Sequence, residues 1–218
     1  LLRIESLDCG ISKVQEIREA ILDFKTSGKS VIAFMETGDN KDYYLATAAD
    51  KIVLLPTGYL MLNGLEAEVT FIKGTLEKLG IIADMEHIGD YKSASDLLTR
   101  TGMSPAHREM VNSLLDDLYD QITQQIAQQR GWTQEQVKSK IDSGPYTASE
   151  AKQDQLVDTL LFYDQIYDLI KQIDGVKPKL LAHQTYQNRH YYRYSWAIPP
   201  KIAVIFATGM IEIGRAHV

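Results

Sequence analysis

The sequence predicts an α/β fold, a largely parallel sheet covered by helices with a helical extension. Three observations carry that reading. The runs "SVIAFME" (30–36) and "KIVLLP" (51–56) are short and continuously apolar, as strands buried on both faces are. Segments with apolar residues at helical spacing lie between and after them, and the two kinds alternate at the intervals of βα units.

Taken in order, "LLRIE" (1–5) alternates like a strand entered partway. "SKVQEIREAILDFKTSG" (12–28) places Val14, Ile17, Ala20, Ile21 and Phe24 on a helical stripe closed by Gly28. Ser12 is its expected N-cap, with Glu16 and Arg18 on the wet face. After the strand at 30–36, "GDNK" turns the chain into a short helix at 42–50. The strand at 51–56 is ended by Pro56. A helix over 68–80 and a strand "IIADMEHI" (81–88) follow.

Downstream of that strand the character changes. Residues 104–131 open with Ser104 and Pro105, an N-cap and first-turn pair, and close at Gly131. Their stripe runs through Met110, Val111, Leu114, Leu115, Leu118, Ile122 and Ile126. A helix over 133–144 has Thr133 as its cap and Glu135 beside it, and another spans 164–175. Residues 176–200, with three prolines and the cluster "YQNRHYYRYSW", read as a linker. "KIAVIFATGMIE" (201–212) reads as a fresh buried strand.

The 218 residues, 44% hydrophobic and 24% charged, fit one full domain and part of another. A net charge of -6 and a pI near 5.4 leave no basic face for phosphates, so no nucleic-acid partner is expected. The basic-aromatic cluster in the linker lacks the positive groove that base stacking needs. The single cysteine, Cys9, can form no internal disulfide, and there is no Cys/His spacing for a metal. No run of about 18 apolar residues exists for a transmembrane helix, and the first residues given lack the basic start and small-residue cleavage site of a signal peptide. Leu1 in place of Met and the late strand lead to the expectation of a fragment. Residues 213–218, "IGRAHV", back-translate to ATC GGA AGA GCA CAC GTC, a sequencing-adapter run, and are expected to be non-native.

"GDYKSASD" (89–96) holds the residue of most chemical interest, Lys92, among glycine, serine and aspartate. An ammonium in water is a poor base, with a pKa near 10.4. Removed from solvent without an anion, a lysine can take a proton from a serine hydroxyl. The apolar segment before it, the bend at Gly89 and the small Ser93, Ala94 and Ser95 suit such a site. On chemistry alone, however, Lys92 reads as a solvated loop lysine paired with Asp90 or Asp96. His87, His107, His183 and His190 lack paired spacing and read as structural. Asp116 and Asp117 read as solvated. No GxSxG elbow is present, and "GDN" lacks the glycine pattern of a phosphate loop.

Three ordered stretches resemble the signal peptide peptidase A (protease IV) family. "GDYKSASDLLTRTGMSPAHREMVNSLLDDLYDQI" resembles that family's G-x-Y-K-S-A segment and the S-P helix after it. "GPYTASEAKQDQLVD" (144–158) is similar to its Y-T-x-x-x-A-x-x-x-x-L-V-D segment through Tyr146, Thr147, Ala151, Leu156, Val157 and Asp158. "DYYLATAADKIVLLPTGYLMLNG" is similar to the strand and turn before them. The resemblance implies a ClpP/crotonase-like fold of repeated ββα units. It also implies a membrane-associated serine peptidase that hydrolyses cleaved signal peptides with a Ser/Lys dyad and no cofactor or metal. Lys92 takes the place of the general base, while Ser93 and Ser95 are left structural.

One departure bears on activity. The short members carry their nucleophile in an S-G-G-Y-Y segment, where this chain reads "TGDNKDYYLAT", keeping Tyr43 and Tyr44 without the serine. In double-length members the lysine comes from the amino-terminal copy and the serine from the carboxy-terminal one. The resemblance therefore implies an amino-terminal domain over 1–175, a linker over 176–200 and the first strand of a second domain over 201–212. Its expected partners are unstructured hydrophobic peptides, its own carboxy-terminal domain and other copies in a tetramer. The expected location is the bacterial inner membrane, periplasmic side, with an anchor outside these residues. The alternatives are a non-catalytic scaffold for assembly or peptide binding, and an acyl-CoA enzyme, against which the Y-K-S-A segment and its helix argue.

Overall fold

The computed structural model describes residues 1–175, 181–182 and 185–186. The strand expected at 201–212, the tail at 213–218, His183, His190 and all but those last four linker positions lie outside the described residues. The chain divides into two units, Leu1–Val176 and Lys177–Val218; the first holds the architecture described below.

In chain order the strands are β1 (Leu2–Ile4), β2 (Ile32–Met35), β3 (Lys51–Leu54), β4 (Tyr59–Leu60), β5 (Tyr146–Thr147) and β6 (Thr159–Leu160). The helices are α1 (Ile11–Thr26), α2 (Asn40–Ala46), α3 (Lys73–Lys78), α4 (Asp96–Thr99), α5 (Pro105–Arg130), α6 (Gln134–Asp142), α7 (Ala148–Gln153) and α8 (Ile166–Asp174). Four strands form a parallel sheet in the order β1-β2-β3-β6, and β4 pairs antiparallel with β5. The α/β expectation is met.

All four residues of β2 are buried, which explains its unbroken apolar run. Strand periodicity sorts them onto two faces. Ala33 and Met35 join a core with Ile4, Ile52, Leu54, Tyr43, Ile122 and Ile126. Ile32 and Phe34 pack with Val53 and with Ile166 of α8. Helices therefore cover the sheet on both sides. At the turn after β3, a Cβ on Gly58 would lie 2.0 Å from the Glu36 carbonyl oxygen, so only glycine lets those backbones approach.

Helix α1 departs from its expected orientation. Its N-cap is Gly10 without a side-chain bond, not Ser12. Ile17 and Phe24 are 43% and 45% exposed, whereas Arg18, expected on the wet face, is 1% exposed. Val14, Arg18, Ile21 and Lys25 form the inward row, spaced as one helix face. The guanidinium turns in because neutral acceptors meet it. Arg18 Nη1 donates to the Tyr44 carbonyl at 2.7 Å and to Thr47 Oγ1 at 2.8 Å, and Nε donates to Gln125 Oε1 at 3.1 Å. It also lies over the Tyr44 ring, 4.7 Å from the centroid. Burial lowers its pKa, and Tyr44 opposes that shift. One arginine thus links α1, α2 and α5.

Helix α5 begins and ends where its punctuation places it. Ser104 Oγ accepts the His107 N–H at 3.2 Å, Pro105 is the first helical residue, and Gly131 takes φ 67°. The expected stripe is only half buried. Ile122 and Ile126 lie in the core, but Met110 and Leu114 are 41% and 60% exposed. A helix of 26 residues is about 39 Å long, and in its amino-terminal half only His107 is buried.

Two further expectations need correction. The helix over 68–80 is reduced to Lys73–Lys78, and the strand at 81–88 does not form. Ile82 and Ile88 are 91% and 89% exposed. The apolar run reads as a strand, yet no neighbouring strand among the described residues offers an edge to it, and a six-residue helix without buried residues has little to hold it.

Tyr43 is fully buried, and its hydroxyl donates to the Leu156 carbonyl at 3.1 Å. Burial raises the phenol's pKa well above its ordinary value. Above about pH 10 the unfolded tyrosine loses a proton that the folded one keeps, so stability is expected to fall as pH rises past that point. Urea midpoints measured from pH 8 to 11 check this, and Tyr43→Phe should flatten the alkaline decline.

Candidate active site

Lys92 follows a turn opened by Gly89, whose φ of 87° suits glycine. The Lys92 N–H approaches the Gly89 carbonyl at 3.4 Å, and residues Ser93–Ser95 form a single 3-10 turn running into α4. Lys92 itself is exposed. It borders an open cleft of about 790 Å³ lined by Met85, Glu86, His87, Ile88, Lys92, Ala94 and Ser95. The dry surroundings anticipated for the amine are thus not supplied by these residues. The cleft is apolar at Met85, Ile88 and Ala94, with the lysine as its cation.

The expected ion pair of Lys92 with Asp90 or Asp96 is absent among the described residues. Asp96 is turned the other way, 6% exposed, and its Oδ2 accepts the Ser104 hydroxyl at 2.8 Å. His107, also 6% exposed, brings Nδ1 to 3.7 Å from the same oxygen, beyond hydrogen-bond range. Its ring stands 6.2 Å from that of Phe71. Ser93 and Ser95 are buried, and Ser95 Oγ lies 3.4 Å from His87 Nδ1. On the other side of Lys92, the exposed Tyr91 donates to Glu109 Oε2 at 3.0 Å, a bond that raises the phenol's pKa. Asp96, Ser104 and His107 were not singled out together by their spacing. The available signal was an acidic residue eight positions before a Ser-Pro cap.

The segment at 37–47 holds no serine. Asp39 caps α2: its Oδ1 accepts from the N–H groups of Lys41 at 2.7 Å and Asp42 at 2.9 Å, while Asp42 Oδ2 accepts the Asp39 N–H at 3.1 Å. The amides that open this helix are therefore engaged by its own carboxylate. Burial raises the pKa of Asp42, and Asp39's backbone N–H opposes that rise. Tyr43 and Tyr44 are core clamps, and none of residues 37–44 lines the Lys92 cleft.

The residues of 146–158 likewise hold the core. Thr147 and Glu150 form the capping box of α7, Ala151, Leu156 and Val157 are buried, and Tyr146 donates to the Lys140 carbonyl at 2.6 Å. Asp158 Oδ2 accepts the Ile52 N–H at 2.6 Å and meets Arg130 at 3.3 Å, fastening the start of β3 to the end of α5. Asp116 and Asp117 are exposed, as expected. Among the described residues no cluster of three or more His, Cys, Asp or Glu could hold a metal ion, and no helix is long and apolar enough to cross a membrane.

Comparison with known proteins places these features in a family. The model of peptidase family S49 matches residues 23–177, a span that takes in the Lys92 turn, the α5 cap and the 146–158 segment. The chain is 33% identical over 217 residues to a chloroplastic serine protease SPPA of Arabidopsis thaliana, covering 97% of this chain and 32% of that protein. It is 33% identical over 212 residues to protease 4 of Salmonella typhi, covering 91% and 34%. A putative signal peptide peptidase SppA of Enterococcus faecium is 26% identical over 183 residues, covering 78% and 49%. The chain spans about a third of the length of the first two relatives and about half of the third. The fold agrees with the ClpP/crotonase-like architecture expected for that family. The chain belongs to peptidase family S49.

Proposed function

We propose that these residues are the lysine-bearing amino-terminal half of a double-length serine peptidase, with Lys92 as general base for a serine on a second copy of the fold. Lys92 takes the serine proton as the hydroxyl oxygen attacks the scissile carbonyl. The ammonium then protonates the leaving amine, and the amine activates water against the acyl-enzyme. Backbone N–H groups beside that serine hold the oxyanion. Docking of the serine-bearing half, or of substrate, over the open cleft supplies the dry surroundings that a lysine base needs. Substrates are unstructured hydrophobic peptides, cleaved signal peptides among them. The protein works at the periplasmic face of a bacterial inner membrane, held by an anchor outside residues 1–218 and assembled with other copies as a tetramer.

The observation that carries the reading is a pairing of opposites within one chain. The lysine segment presents an exposed amine at the wall of a partly apolar cleft, while the segment that would hold a serine has a carboxylate closing its amides. That second half of the observation also favours the scaffold reading for the isolated chain. Labelling with a serine-directed fluorophosphonate separates the two. The full-length protein is expected to label at one serine, outside residues 1–218, and to hydrolyse peptide, and residues 1–218 alone to do neither. A full-length protein that neither labels nor cleaves would leave the scaffold reading.

A further inference from the structure

We propose that Asp96, through Ser104 and His107, is the positioning residue for Lys92, one end of a two-point clamp that fastens the lysine-bearing turn to the first turns of α5. The inference rests on Lys92 acting as the base. Lys92 makes no side-chain hydrogen bond or ion pair among the described residues, so its ammonium is not what fixes its place. Its neighbours do so on both sides. One residue before it, Tyr91 donates to Glu109 at 3.0 Å; four residues after it, Asp96 accepts from Ser104 at 2.8 Å. Both partners stand at the amino-terminal end of the same helix.

The two anchors differ in kind. Tyr91 and Glu109 are exposed, so their bond is readily exchanged for water. Asp96 is buried, and a buried carboxylate is costly unless hydrogen-bonded in good geometry. An apolar side chain would fill the position at lower cost. What the carboxylate adds is direction: one Ser104 hydroxyl both donates to it and accepts the His107 N–H that begins α5. The His107 ring, packed against Phe71, covers the acceptor oxygen, and the Ile72 N–H donates to the Leu97 carbonyl at 2.9 Å, closing the same corner. A base must stand within hydrogen-bond reach of its proton, and a displacement of about 1 Å can cost roughly a hundredfold in rate.

The test uses the full-length protein and a fluorogenic apolar peptide, with kcat and KM measured separately. Asp96→Leu removes the acceptor. Ser104→Gly removes its donor while keeping a residue that helix N-caps tolerate. Both are expected to lower kcat by about 10- to 100-fold with KM within about twofold, and Ser104→Thr, which keeps the hydroxyl, to restore most of kcat. Should Asp96→Leu fail to fold, the Ser104 pair decides. Folded Ser104→Gly or Asp96→Leu protein with unchanged kcat overturns the positioning role, as does a change confined to KM. Lys92→Ala run in parallel separates the causes. Its inactivity beside active Asp96 and Ser104 variants refutes the clamp alone, whereas its full activity refutes the base and the clamp together.

Discussion

Lys92→Ala in the full-length protein is expected to lower peptide hydrolysis by about 10²- to 10⁴-fold, the range by which a positioned general base contributes. Lys92→Arg is expected to fare no better, because a guanidinium does not give up its proton near neutral pH. The side chain is exposed and makes no hydrogen bond or ion pair among the described residues, so neither substitution should disturb folding by more than about 0.5 kcal/mol. That separation makes the experiment informative. Initial rates, thermal midpoint and sedimentation profile on the same preparations give chemistry, stability and assembly independently. A loss of rate with the other two unchanged is the expected pattern.

Arg18→Ala is expected to destabilise the chain by about 2–4 kcal/mol, through the void left in the core and the loss of the guanidinium's hydrogen bonds to its four acceptors. Those acceptors lie at two places: the Tyr44 carbonyl and Thr47 hydroxyl at the end of α2, and the Gln125 side chain and carbonyl on α5. No carboxylate faces the guanidinium among the described residues, so its loss frees no buried anion. Arg18→Met, which keeps most of the aliphatic stem, should cost about half as much. Chemical denaturation followed by far-ultraviolet circular dichroism checks both values. A near-neutral Arg18→Ala would mean that the core closes without this link.

The two substitutions mark the boundary between what the sequence makes legible and what it does not. Helix α5 could be bounded from Ser104, Pro105 and Gly131 because each acts on the backbone within one turn of itself. β2 and β3 could be placed because burial on both faces requires an unbroken apolar run. Arg18 could not, since charge alone argues for solvent, and its acceptors come from residues 26 to 107 positions away. The strand expected at 81–88 failed for a related reason. Apolar residues state a need for cover, but the edge that meets the need must come from elsewhere. The same holds at the site. The segment around Lys92 was recognisable from its own residues, whereas the Asp96–Ser104 bond spans a turn and a four-residue helix that local propensity does not specify. The departure at 37–44 was visible as a missing serine, but not that Asp39 would occupy the amides of α2.

The most direct measurement is a structure of the full-length protein, which tests whether Lys92 meets the serine proposed for the second copy of the fold. The account predicts Lys92 Nζ within about 2.6–3.2 Å of that serine's Oγ, or one water away, with the cleft beside Met85 and Ile88 covered by the second half of the molecule or by peptide. A serine whose hydroxyl is served by a different base, with Lys92 still in open solvent, would contradict it.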